Sequence, residues 1–246
     1  IHSLSEFDKD LTFLSVEKIE SISEILDEIS PTGRARLLLP TTSPSSPSLF
    51  TGTGTGPQLG RELELELESA DRVDMLVSFI KSAGLKLLLP ALKSFTARGG
   101  KLRVITTTYL GASDPIAIRQ ISELPNTEIK INYDTKHSRL HAKAYFIHRD
   151  TGLSCAFIGS ANLSHAAMTS GLEWTVKLPA TELPDLFRRC EAEFNSYWEN
   201  PSFVEFTDGS FEKLVAATKH EKGVFTDQST VLTVFRIQPF DYQNAI

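Results

Sequence analysis

His141 and Lys143 stand one residue apart in the run Arg-Leu-His-Ala-Lys-Ala-Tyr-Phe, residues 139–146, and Gly159-Ser160-Ala161-Asn162 follows after one turn and a second apolar run. Leu140 to His148 is rich in aromatic and aliphatic residues and reads as a strand. Side chains two apart on a strand share a face, so His141, Lys143 and Tyr145 are expected to point one way and Leu140, Ala142, Ala144 and Phe146 the other. Arg149-Asp150-Thr151-Gly152 is turn chemistry, and Ala156-Phe157-Ile158 returns as a neighbouring strand. Gly159-Ser160 lets the backbone leave that strand tightly, and Asn162 or Ser164 can cap a helix beginning near Leu163. An imidazole, an ammonium, a hydroxyl and an amide are thereby expected at one end of a hairpin. That set suits a phosphate. The imidazole can attack phosphorus or transfer a proton, and Lys143, Ser160 and Asn162 can hold the non-bridging oxygens as charge builds.

The elements that must position these groups alternate. Val73–Ile80 is a buried-type strand, and Ser82–Arg98 is helical, with Pro90 marking a break or fresh start and Gly99-Gly100 stopping it. Leu102–Tyr109 is a strand; Ser113-Asp114-Pro115 caps a helix over Ile116–Leu124. Thr127–Tyr133 is a strand, the hairpin follows, Leu172–Leu178 is a further strand, and Leu183–Trp198 is an amphipathic helix. Strand–helix alternation followed by a strand pair implies an α/β sandwich around a mixed sheet. Sites on such sheets lie at strand C-terminal ends, of which Gly159-Ser160 is one.

The flanks differ. Residues 4–29 carry Leu11, Leu14, Ile19, Ile22, Ile25, Leu26 and Ile29 at helical spacing, and residues 30–57 are rich in Pro, Ser, Thr and Gly and read as a long loop. Gly52, Gly54 and Gly56 are not a phosphate loop, because no Gly-Lys-Ser/Thr follows and no apolar strand leads in. Residues 58–70 carry a strict Leu/Glu alternation at 62–68, and Leu59, Leu63 and Leu67 at helical spacing; the helix propensity of both residue types favours a helix, its glutamates a solvated face. Residues 200–246 lose the rhythm. Three divisions are expected: a helical segment and loop at 1–57, the main domain at 58–203, and a C-terminal segment at 204–246.

A length of 246 residues permits a large core, and 41% apolar with 23% charged residues is ordinary for a globular protein. No apolar run approaches membrane-spanning length and no signal peptide is visible, so a cytoplasmic location is expected. The first residue is Ile1 rather than Met, and a longer parent chain is expected. Net charge is −6, which argues against broad nonspecific nucleic-acid binding, although Lys136, His137, Arg139, Lys143, His148 and Arg149 make a local basic patch. Arg139 and Lys136 are its phosphate-positioning candidates. Cys155 and Cys190 are two, too few for a disulfide framework or a zinc site, and read as small core residues. No metal cluster stands out and no cofactor is expected. His220-Glu221-Lys222 repeats His-x-Lys without a strand before it or Gly-Ser-x-Asn after it, and reads as solvated. Trp174 and Trp198 read as core.

His-x-Lys followed by Gly-Ser-x-Asn resembles the HKD motif of the phospholipase D superfamily. Residues 58–200 are also similar to the nuclease-like domain found N-terminal to some bacterial superfamily 2 helicases, through SADRVDMLVSFIKSAGLKLLLPAL, RGGKLRVITTTYLGASDP, LPNTEIKINYD and GLEWTVKL. The resemblance implies a phospholipase D-like α/β/α sandwich around a mixed, largely parallel sheet. It implies a metal-independent phosphodiesterase, a nuclease acting on DNA or RNA through a phosphohistidine. His141, Lys143, Ser160, Asn162 and Glu173 would be catalytic, with Arg139, Lys136 and Gly159 binding substrate. Where the family often has an aspartate five residues after the lysine, this chain has His148, and Glu173 is the expected substitute that supports the imidazole. The superfamily uses two facing histidines and this chain has one qualifying motif, which implies a homodimer with a composite site. Pro239-Phe240-Asp241-Tyr242-Gln243 resembles the lead-in to a helicase motor. A catalytically weak or inactive DNA-binding and dimerisation module is the competing reading, and phospholipid hydrolysis a third.

Overall fold

The alternating apolar runs fold into one eight-stranded mixed sheet in the computed structural model, which describes residues 39–54, 56–135 and 139–231, with side chains through residue 223. The strands are β1 (Ser48–Phe50), β2 (Arg72–Val77), β3 (Lys101–Thr107), β4 (Thr127–Asn132), β5 (Lys143–His148), β6 (Cys155–Gly159), β7 (Thr175–Pro179) and β8 (Phe203–Glu205). The helices are α1 (Leu59–Leu67), α2 (Ser82–Ala97), α3 (Pro115–Ser122), α4 (His165–Met168), α5 (Pro184–Glu199) and α6 (Phe211–Val231). Strand order is β1-β7-β6-β5-β2-β3-β4-β8. Pairing is parallel only for β2–β3 and β3–β4, and antiparallel at the other junctions. The mixed α/β architecture is as expected, but the parallel share is smaller, because the hairpin and β7 add a meander and not crossovers.

Each strand's period of two separates the sheet's faces. Val73, Met75, Val77, Val104, Ile131, Tyr145 and Phe157 face a core closed by Leu63 and Leu67 of α1, Leu88, Leu92 and Phe95 of α2, and Ile118 and Ile121 of α3. Leu76, Ile105, Phe146, Ala156 and Leu178 face the other core, closed by Phe187, Phe194 and Trp198 of α5. Truncating any of these large side chains to Ala costs about 2–5 kcal/mol.

Several local expectations change. Helix α2 runs through Pro90 without interruption; Pro90 is solvent-exposed, so the Lys86 carbonyl that loses its amide partner is left to water. Asp114 precedes α3 but its carboxylate accepts from Ser82 N at 2.8 Å, capping α2 instead. Strand β5 begins at Lys143, so Leu140–Ala142 lie outside it. Strands β1 and β8 and helix α6 arise in stretches that read as irregular. The glutamates of α1 are not solvated: Glu62 and Glu66 are fully buried. Lys177 Nζ lies 2.6 Å from Glu66 Oε1 and 3.4 Å from Glu62 Oε1, and Arg149 pairs with Glu66 Oε2. Trp198 is in the core as expected, but Trp174 is 68% exposed. The helical spacing at 4–29, Lys136, His137 and the stretch 239–243 lie outside the described residues. Among the described residues no helix is long and apolar enough to cross a membrane.

Candidate active site

The sheet directions decide whether the two halves of the motif meet. Strands β2, β3, β4 and β6 end on the same edge, and β5 and β7 begin there, since Val77 pairs with Lys143, Ala144 with Ile158, and Gly159 with Thr175. His141, Lys143, Ser160, Asn162 and Glu173 therefore gather along one edge of the sheet.

Lys143 is the first residue of β5 and is nearly buried. Its Nζ donates to the His141 carbonyl at 2.5 Å and lies 3.0 Å from His141 Nδ1. His141 is exposed just before the strand, its ring edge-on to Phe79 at 6.5 Å. Burial pushes the Lys143 ammonium below its ordinary value, and the Glu173 carboxylate opposes that shift. Burial, and then the Glu173 charge, raises the phenol of Tyr145, whose hydroxyl donates to the Ala161 carbonyl at 3.1 Å. Glu173 thus sits within electrostatic reach of both. Its nearest bond is to the Ser160 hydroxyl, which also accepts from Trp174 N at 3.0 Å. Among the described residues Glu173 makes no bond to the His141 ring, where a supporting bond was expected.

The Gly-Ser-Ala-Asn turn is zipped to the end of β2. Asn162 Oδ1 accepts from Phe79 N at 2.9 Å, Leu163 N donates to Phe79 O at 3.2 Å, and Lys81 N donates to Leu163 O at 2.9 Å. Ser164, not Asn162, caps α4. Gly159 has a packing reason: a Cβ there would lie 2.0 Å from the Trp174 carbonyl. Ser160 is exposed and Asn162 half-buried, so the hydroxyl and the amide NH2 are the turn's polar groups nearest the edge.

Arg139 is exposed, over the Tyr109 ring at 5.8 Å. It and His141 line a cleft of about 420 Å³ that continues past Asn132 to the end of α5 and the start of β8. Nothing local in the sequence marks this cleft, since its walls come from distant elements. The rest of the expected basic patch does not join the site. Arg149 is buried against Glu66, Ser69 and the Leu153 carbonyl. His148 is at the far end of β5, with Nε2 3.0 Å from Asp74 Oδ2 and Nδ1 3.6 Å from Glu191. Asp74 also receives Arg103 at 2.7 Å on each oxygen. Burial works to raise its pKa, but the bonds from Arg103 and His148 hold it below the usual carboxylate value. Among the described residues no group of three or more His, Cys, Asp and Glu could hold a metal ion.

Residues 66–198 match the protein family described as cardiolipin synthase, PLD-like domain. No curated protein matches the chain. Among solved structures the chain is similar to phosphatidylserine synthase from Haemophilus influenzae Rd KW20, with TM-score 0.51 and 12% identity over 76% of this chain and 45% of that one. It is similar also to NucT from Helicobacter pylori, with TM-score 0.47 and 22% identity over 65% of this chain and 99% of that one. Nuc from Salmonella typhimurium, a phospholipase D family member, gives TM-score 0.44 and 17% identity over 66% of this chain and all of that one (100%). The likeness to the synthase supports the fold alone.

Proposed function

The chain belongs to the phospholipase D-like family through residues 66–198, and from that membership we propose that it is a metal-independent phosphodiesterase, a nuclease acting on DNA. The observation that carries the reading is the contact of Lys143 Nζ with His141 Nδ1 at 3.0 Å on the edge where Ser160 and Glu173 also meet. In the free site Lys143 donates to Nδ1, so the ring proton sits on Nε2. A phosphate oxygen entering the edge takes over the ammonium, solvent water takes the proton from Nε2 and returns one to Nδ1, and the freed Nε2 lone pair attacks phosphorus. The P–O bond to the leaving group breaks as an imidazolium, His141 of a second copy, gives that oxygen its proton. Water then loses a proton to that second imidazole and attacks phosphorus. The P–N bond breaks, leaving a phosphomonoester and both histidines restored. Lys143, Ser160 and Asn162 stabilise the pentavalent phosphorus, Arg139 positions the neighbouring phosphate, and Glu173 holds Ser160 and balances the ammonium. Lys136 keeps its expected phosphate-binding role in this proposal, and Gly159 contributes through its close packing on the Trp174 carbonyl.

The second copy is proposed because these 246 residues hold one His-x-Lys with Gly-Ser-x-Asn. Exposed apolar side chains on and next to β7, the strand that follows Glu173, support it. Leu172 is 82% exposed, Trp174 68%, and Leu49 and Val176, paired across β1–β7, 46% and 43%. Large exposed apolar patches on soluble domains mark interaction surfaces. Placement of the chain beside a superfamily 2 helicase motor is part of the proposal and rests on the sequence resemblance.

Cleavage of labelled single- and double-stranded DNA in EDTA, with His141→Ala in parallel, tests the activity. Cleavage that survives EDTA and disappears in the variant is the expected result. A folded protein that shifts DNA in a gel without cutting it would move the reading to a binding and dimerisation module. Release of phosphate head groups from lipid vesicles without DNA cleavage would move it to phospholipid.

A further inference from the structure

We propose that the cleft beside His141 is a nucleobase subsite, which receives the base next to the scissile phosphate; the proposal deepens the nuclease reading and rests on it. The cleft holds about 420 Å³, within the ~300–1,000 Å³ of pockets that enclose small ligands. Arg139 and His141 stand at one end and Asn132, Tyr197, Asn200, Ser202 and Phe203 form the remainder of its polar and aromatic lining. A group held there is adjacent to the imidazole that the reaction uses.

The lining chemistry selects among ligands. Tyr197 and Phe203 stack on one another at 5.9 Å and 28° and form an aromatic wall. Asn200 Oδ1 accepts from Ser202 N at 2.9 Å, which fixes the amide so that its NH2 end is the donor presented. Phe203 N donates to Asn200 O at 3.0 Å and Asn200 N to Tyr197 O at 3.2 Å, so this wall is a hydrogen-bonded turn with little freedom to adapt. Asn132 is held the same way, its Oδ1 accepting from Asp134 N at 2.7 Å. The site therefore offers donors from Asn200, Ser202 and Arg139 beside an aromatic wall. No described lining residue is a carboxylate. A cationic head group such as choline or ethanolamine would meet a guanidinium and no counter-charge. An acyl chain would meet amides and a hydroxyl. A nucleobase brings a flat π face and carbonyl and ring-nitrogen acceptors, the complement of this lining.

Binding of thymidine 5′-monophosphate, 2-deoxyribose 5-phosphate and glycerol 3-phosphate, measured by calorimetry on the purified chain, tests the subsite without requiring turnover. The expected result is that the nucleotide binds at least about tenfold tighter than the sugar phosphate, as stacking of one base provides. Ser202→Trp, at an exposed position, fills the cleft and is expected to bring that ratio to one while sugar-phosphate binding remains. Asn200→Ala, checked by thermal melting, reduces the ratio if the tryptophan variant does not fold. A ratio of one in the unmodified protein, or a ratio unchanged in both variants, overturns the proposal. So does glycerol 3-phosphate binding as tightly as the nucleotide, which points to a lipid source, or failure of all three phosphates to bind. Base preference without DNA cleavage would sink the proposed activity and leave the subsite standing; EDTA-resistant cleavage without base preference would do the reverse.

Discussion

The two ends of β5 carry a histidine each, and they are opposites. His148 at one end is enclosed by Asp74, Glu191 and Arg72, and Asp74 is in turn gripped by Arg103, which lies over the Phe194 and Trp198 rings at 5.0 and 5.1 Å. His141 before the other end is exposed and meets a lysine whose burial weakens its hold on its proton. The same contrast separates two lysines. Lys177 is fully buried between Glu62 and Glu66, while Lys143 has backbone, imidazole and only the field of Glu173. Charge that is fully paired inside the fold has its affinity spent; charge left short of acceptors at a sheet edge can still take a phosphate. Residue type alone does not separate the two situations.

The sharpest way to break this contrast is to remove one histidine at a time. His141→Ala is expected to lower cleavage by about 10⁴-fold or more, as loss of a nucleophile does, with an unchanged melting temperature. A variant that kept activity would place the chemistry elsewhere. Asp74→Asn attacks the saturated end, and is expected to cost about 3–5 kcal/mol of stability because it removes the buried carboxylate that pairs with the half-buried Arg103 guanidinium. Urea unfolding measures that loss, while the protein that remains folded keeps its activity. The pH dependence sharpens the same point. Asp74 is held below its unfolded value, so its contribution is present above the unfolded pKa and is lost as pH falls through the lower folded one. Unfolding free energies collected downward from pH 5 should drop, and the drop should be shallower in Asp74→Asn. Glu173→Gln comes next, with a fall of about 10–100-fold in cleavage, the scale of losing a supporting carboxylate. An unchanged rate would show that Ser160 and Lys143 need no acid beside them. His148→Gln is the smallest, about 1 kcal/mol of stability for one hydrogen bond, and no change in cleavage.

How much of this was legible follows from where each signal sits. His141, Lys143 and the Gly-Ser-Ala-Asn turn lie within 22 residues of one another, and strand alternation and turn chemistry are local. The reading of the basic patch fails at Arg149 and His148, because their acids, Glu66 and Asp74, come from 83 and 74 residues away in sequence. Glu62 and Glu66 fall on the expected helix but not on a solvated face, since the helix pattern does not reveal that Lys177 and Arg149 pair with them inside the fold. Trp174 reads as core, but it lies just before β7 and is exposed, as is Val176 two residues on.

From residue 58 to residue 198 the sequence by itself determined the element types and their alternation, and it marked the residues proposed to handle a phosphate, because propensity, periodicity and motif spacing act over a few residues. Only the tertiary structure decided that β5 begins and β6 ends on the same sheet edge, that one histidine stays open while the other is locked, and that a cleft runs on from His141 to α5. Those outcomes depend on strand direction and register, and a strand's neighbours are chosen by the packing of the whole sheet.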